Sequence, residues 1–162
     1  MKISNDIVIY IVEDDPAQAQ LLQDKMLDFN NEYKLEWFSS GENLLAHLKN
    51  GFQKYKYSYV ILDYFLQTKE NKEAINGFEV ITRLKKVSPK SNVILYSAFE
   101  SDADKKFDTL KEEPNVLDVI KKTEYSFSSL QNIIRYNYSK KTLAVRKKRF
   151  QWFALFFVLL CH

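Results

Sequence analysis

The chain is poor in cysteine, glycine and proline: of its 162 residues one is Cys, three are Gly and three are Pro. The lone Cys161 excludes an internal disulfide and a cysteine metal cluster, and it fits a reducing compartment. The six Gly and Pro residues stand where elements should begin or end, and no internal repeat or low-complexity segment is visible. No apolar run reaches the about 20 residues that a membrane helix needs. The first apolar run, Ile7–Val12, follows Asn5-Asp6 and ends in three acids, which is wrong for a secretory signal. A cytoplasmic location is the expectation.

What is present is 46% hydrophobic with a net charge of +3. That composition suits one folded, soluble domain with room for an appendage. The charge is too small to imply a nucleic-acid partner.

Short apolar runs alternate with helical patterns along the chain. Ile7–Val12 reads as a strand, and Asp15-Pro16 starts a helix, Asp as cap and Pro at the first position. Ala17, Leu21, Leu22, Met26 and Phe29 are the expected inner face of that helix. Lys34–Phe38 is a second strand, and a helix carrying Leu44, Leu45 and Leu48 runs from Gly41 to a close at Gly51. Tyr57–Leu62 is a third strand, followed by the polar stretch 67–76 as a loop. A helix from Gly77 to about Val87 turns Phe78, Val80, Ile81 and Leu84 inward and stops before Pro89. Asn92–Tyr96 is a fourth strand, Glu100 to about Lys111 a charged helix, and Val116–Ile120 a fifth strand. A last helix begins near Ser126. Five strand–helix units in alternation predict an α/β fold with a parallel sheet and helices on both faces.

Ligands of such sheets bind outside the carboxyl ends of the strands. Those ends carry Glu13 and Asp14, then Asp63, then Ser97, then Lys122. Each alone has an ordinary reading: acids at a helix start, Asp or Ser ending a strand, a solvated lysine with Lys121 its equal. Together they bring three acids, a hydroxyl and an ammonium to one edge. Three ionised carboxylates repel unless a hard cation neutralises them. An oxygen-only set without His or Cys favours Mg²⁺ over zinc or a full calcium cage.

The segments Ile11-Val12-Glu13-Asp14-Asp15-Pro16, Val60-Ile61-Leu62-Asp63, Leu95-Tyr96-Ser97-Ala98 and Asp118-Val119-Ile120-Lys121-Lys122 resemble the receiver domain of two-component response regulators. The resemblance implies a flavodoxin-like, doubly wound five-stranded sheet of order 2-1-3-4-5. It implies that Asp63 accepts a phosphoryl group from a sensor histidine kinase or phosphotransfer protein, with no activity beyond its own phosphorylation and dephosphorylation. By the same carry-over Asp14 and Asp63 hold Mg²⁺, Glu13 does so mainly through water, and the Phe65 backbone carbonyl completes the protein ligands. Ser97 and Lys122 would hold the phosphoryl oxygens. Signalling to a downstream protein would follow as the Ser97 hydroxyl turns toward the phosphate.

Three departures stand out. The 67–76 loop is long and lacks the Pro often found after the acceptor. Val119 stands where many receivers carry an aromatic switch residue. Thr123 replaces the common Pro after the lysine. The alternative class is therefore a pseudo-receiver, an interaction module that no longer cycles phosphate. A free-standing Mg²⁺ phosphohydrolase would need a nucleophile loop and a substrate lid, and neither is visible.

The expected organisation is a receiver over 1–138 and a helical extension over 139–162. The extension is basic at Lys140-Lys141 and Arg146–Arg149, then apolar over Phe150–Cys161 with one Gln. It is too short for a span. Its basic flank suits a membrane-proximal position, and its aromatics could instead pair two chains. A fragment of a longer protein, or a membrane-proximal end, is expected over a designed dimer. Without a DNA-reading motif, nucleic acid is not expected.

Overall fold

A computed structural model describes residues 6–51, 55–66, 74–98, 104–123 and 126–160. Five strands and five helices alternate: β1 Ile7–Val12, α1 Pro16–Phe29, β2 Lys34–Phe38, α2 Gly41–Asn50, β3 Tyr57–Leu62, α3 Gly77–Val87, β4 Asn92–Ser97, α4 Asp104–Lys111, β5 Val116–Lys121 and α5 Ser126–Leu160. The strands form one all-parallel sheet in the order β2-β1-β3-β4-β5. The expected doubly wound sheet is what the chain adopts.

The period-2 alternation of strand side chains builds two cores. On one face Val8, Tyr10, Val12, Val60, Leu62, Val93 and Leu95 meet Leu44 of α2, Val80, Ile81 and Leu84 of α3, and Leu110 of α4. On the other, Ile7, Ile9, Ile11, Tyr59, Ile61 and Ile94 meet Leu22 and Met26 of α1 and Leu130, Ile134 and Tyr138 of α5. Each fully buried aliphatic side chain adds roughly 1.5–3 kcal/mol, so the three central strands anchor the domain. Because β1, β3 and β4 are buried along their whole length, their carboxyl ends are held in a fixed relation.

Two helix faces differ from the expectation. Ala19, Leu22 and Met26 are the buried residues of α1, while Leu21 is half exposed and Ala17 is at the surface. The inner stripe follows 19, 22 and 26, because Pro16–Ala17 lie in the first turn beside solvent. Phe78 of α3 is also exposed, since Gly77, Val80, Ile81 and Leu84 already fill the inward face. The helix caps follow the sequence closely. Asp15 accepts from the amides of Ala17 and Gln18, Ser40 accepts from Asn43, and Asn76 with Glu79 forms a capping box.

Most of the 67–76 stretch, and the expected start of α4 at Glu100, lie outside the described residues. The end of the loop is docked: Ala74 and Ile75 are buried, and the Ile75 amide donates to Glu42 Oε1 at 2.9 Å.

Candidate functional site

The carboxyl edge of the sheet is assembled by main-chain bonds between neighbouring strand ends. The Glu13 amide donates to Phe38 O at 3.1 Å, Asp63 to Val12 O at 2.9 Å, and Lys122 to Ser97 O at 3.0 Å. The strand ends are thus laced together, and the side chains just past them converge.

Asp63 is 7% exposed and lies immediately after β3. Its Oδ1 accepts from the Phe65 amide at 3.1 Å and from Ser97 Oγ at 2.5 Å. Its Oδ2 accepts from Lys122 Nζ at 2.6 Å. Lys122 also donates to Glu13 Oε2 at 2.6 Å and to Gln18 Oε1 at 2.9 Å. These three acceptors match the three protons of an ammonium. Lys121, by contrast, ends β5 and points to solvent, so Lys122, the lysine taken from the resemblance, is the one that stands at Asp63.

Oxygens of Glu13, Asp14 and Asp63 all lie within 4.8 Å of one another, with Glu13 and Asp63 buried and Asp14 half-buried. Burial pushes the Glu13 carboxyl above its ordinary range, against the pull of Lys122 and with a further push from Asp63. Burial also works against the Lys122 ammonium, but its hydrogen bonds to Asp63 and Glu13, and their charges, raise its pKa overall. The two directions fit together. Lys122 has two carboxylates to itself, whereas each carboxylate has only a share in one lysine. The cluster is therefore short of positive charge, and its all-oxygen donor set is of the kind that holds a hard divalent cation.

Glycine at position 77 is a requirement of this edge. A Cβ there would stand 2.8 Å from the Tyr64 Cα and 3.1 Å from the Asp63 carbonyl oxygen, while the Gly77 amide donates to Tyr64 O at 3.0 Å. The start of α3 is thereby pinned against the backbone that follows Asp63. Phe65, expected to contribute its carbonyl, lies in this same segment, with its ring half exposed.

Three residues of the site are not evident from sequence. Gln18 holds the third proton of Lys122, and a polar residue three after the α1 cap carries no signal of its own. Trp37 donates its indole N–H to the Glu13 carbonyl at 2.8 Å from the end of β2. Tyr96 is buried beside Ser97, its ring 5.9 Å from Lys122 Nζ and its hydroxyl 2.9 Å from Ser126 Oγ at the start of α5. Val119 is half-buried against the α2–α4 core and pairs with Leu95. The Lys122–Thr123 bond is trans, as are all described peptide bonds.

A five-stranded parallel sheet with an acid triad, a hydroxyl and a lysine at its carboxyl edge defines the receiver class of signalling domain. The response regulator receiver domain family matches residues 9–135, and the chain belongs to that family. No curated protein sequence matches it. The fold is similar to that of a CheY-like response regulator receiver domain protein from Methanospirillum hungatei, at 19% identity and TM-score 0.64 over 85% of this chain and 97% of that one. It is also similar to response regulator protein TrrA from Thermotoga maritima, solved in complex with Mg²⁺ and BeF, at 20% identity and TM-score 0.60 over 79% and 96%. A response regulator receiver protein from Dyadobacter fermentans matches at 16% identity and TM-score 0.60 over 79% and 98%. At these identities the likeness concerns the fold. Among the described residues no helix is long and apolar enough to cross a membrane.

Proposed function

We propose that the chain is a phosphoacceptor receiver whose nucleophile is the Asp63 carboxylate, served by a histidine kinase or phosphotransfer protein. The observation that carries this reading is the set of contacts to Asp63. Ser97 lies 2.5 Å from one of its oxygens and Lys122 2.6 Å from the other, with the Glu13 and Asp14 oxygens beside them.

One Asp63 oxygen attacks phosphorus of the donor's phosphohistidine, and the P–N bond breaks with its electron pair returning to the imidazole nitrogen, which takes up a proton. An aspartyl phosphate is formed. The transfer needs positioning and charge neutralisation more than bond-making chemistry from the protein. Lys122 is already at the reacting carboxylate and supplies one positive charge. Glu13, Asp14 and Asp63, with the Phe65 carbonyl, are the residues that would hold Mg²⁺, which when bound supplies the remaining positive charge. Ser97 is free to exchange its bond to the carboxylate for one to a phosphoryl oxygen. Attack of water on the phosphorus reverses the modification, giving inorganic phosphate and the free carboxylate, and the exposed Ala98 beside Ser97 is too small to block that approach. No other turnover is proposed.

The test is incubation with acetyl phosphate and Mg²⁺ followed by intact mass measurement. Gain of one phosphoryl group in the wild type, and none in Asp63→Asn, supports the reading. Wild type that gains nothing while a control receiver does would establish a pseudo-receiver instead.

A further inference from the structure

Helix α5 is two structures in one. Its first half packs on the sheet, with Leu130, Ile134 and Tyr138 buried. Lys141 makes the last hydrogen bond from α5 to the sheet among the described residues, donating to Asn92 Oδ1 at 2.8 Å where β4 begins. From there the helix runs on for 19 residues, about 28 Å of rod at 1.5 Å per residue. It leaves from the edge of the sheet opposite Asp63. Leu143, Phe150, Trp152, Phe153 and Phe156 are between 60% and 76% exposed along it.

The charge of this helix is one-sided. It contains seven cations (Arg135, Lys140, Lys141, Arg146, Lys147, Lys148 and Arg149) and no acid. Subtracting these seven from the chain's +3 leaves −4 on all the other residues. The strongest run, Arg146–Arg149, is followed directly by the Phe- and Trp-rich Phe150–Leu160. A run of cations, then aromatics, then aliphatics is the order a chain meets on passing from water through anionic headgroups into hydrocarbon.

We propose that the distal part of α5 docks the domain on an anionic lipid surface, with Arg146–Arg149 at the headgroups and the segment from Phe150 in the adjoining leaflet. A second copy is a poorer occupant. Four consecutive residues wrap a whole helical turn, so no rotation removes all four cations from a helix–helix seam, and side-by-side pairing would oppose two such runs. Duplex nucleic acid would meet the cations but give no partner to the aromatic segment. Docked in this way, the Asp63 edge faces away from the lipid and stays open to a phosphodonor.

The full chain is mixed with vesicles of phosphatidylcholine alone or with phosphatidylserine added, and flotation is measured. Flotation with the anionic vesicles, lost at high salt, is expected. Replacing Arg146–Arg149 with Gln should lower partitioning by about six hundredfold, at roughly fivefold per cation. Phe153→Ser with Phe156→Ser should abolish it. A blue shift of tryptophan emission on binding, absent in Trp152→Phe, should place that ring out of water. These positions are exposed, so acetyl phosphate labelling of Asp63 should survive every variant and report an intact fold. Failure to float with anionic vesicles overturns the proposal. So does flotation that survives loss of the four cations, or concentration-dependent pairing or duplex DNA binding without lipid binding.

Discussion

The two ends of the sheet treat buried polarity in opposite ways. At the carboxyl end Glu13, Asp63 and Lys122 are charged groups taken largely out of water, with two acids competing for one cation. At the amino end the buried polar groups are neutral. Ser91 Oγ lies 2.8 Å from both Ser58 Oγ and Ser88 Oγ, and Asn92 donates to Ser58 O at 3.2 Å while accepting from Lys141. Both ends sit on the same strands and the same two cores, so the difference is not one of fold. The hydroxyls of Ser58, Ser88 and Ser91 and the Asn92 amide are hydrogen-bonded there, with Lys141 serving Asn92. The Tyr57 hydroxyl and the Asn115 amide are buried without a hydrogen-bond partner among the described residues. Carboxylates held in excess of their cation leave the carboxyl end suited to a further cation.

Removing the shared cation should have the largest effect. In Lys122→Met two buried carboxylates lose their ammonium, and breaking a buried pair in this way costs about 3–5 kcal/mol. Denaturant unfolding in metal-free buffer should show that loss, and millimolar Mg²⁺ should recover part of it. A loss below about 1 kcal/mol would mean that water already screens this edge as it would a surface pair.

A smaller effect is expected at the amino end. Ser91→Ala removes the hydroxyl that bridges Ser58 and Ser88, and loss of a buried neutral hydrogen bond of this kind costs about 1–2 kcal/mol. Mg²⁺ should not recover it. Recovery by Mg²⁺ there would break the contrast between the two ends.

The pH dependence separates the ends in a second way. The folded pKa of Glu13 is raised above the ordinary 4.5, chiefly by burial. The folded state then holds that proton more tightly than the unfolded chain, and its contribution is favourable at low pH and lost as pH rises through the folded value. Glu13→Gln mimics the protonated form, so it should stabilise the metal-free protein at neutral pH and have less effect below pH 4.5. Lys122, also raised, contributes stability that is complete below its ordinary 10.5 and lost as pH climbs through the folded value. A mutant profile parallel to that of the wild type across both windows would contradict the charge account of this edge.

Most of this arrangement was legible before any coordinates. β2 keeps its expected bounds as a partly exposed edge strand with Lys34 and Glu36 in it. β1 and β3 begin and end where the apolar runs do, because a strand buried on both faces carries few polar residues, Ser58 of β3 being one. The site acids were legible for the complementary reason: a charged residue directly after such a run has to stand at the sheet edge. The failures lie on helices. Leu21 and Phe78 are apolar and fall at helical spacing, yet both face solvent, because a few degrees of helix rotation decide which stripe meets the sheet. Gln18, Trp37 and Tyr96 were invisible for another reason. Their roles depend on reaching a neighbour from a different strand or helix, and nothing local in the chain marks that reach.

The smallest expected effect belongs to the residue next to the one with the largest. Lys121 and Lys122 are adjacent and chemically identical, and four residues share the carboxyl edge with them. A strand turns successive side chains to opposite sides, and Lys121, the last residue of β5, is exposed. Lys122, one residue on, donates to two buried acids. An exposed lysine without a buried partner contributes within about ±0.5 kcal/mol. Lys121→Ala should therefore unfold like the wild type and gain a phosphoryl group from acetyl phosphate at the wild-type rate, while Lys122→Ala should do neither. If the two substitutions proved interchangeable, the ammonium at Asp63 would be supplied by whichever lysine remained. The distinction between the two would then come from the resting arrangement and not from the chemistry.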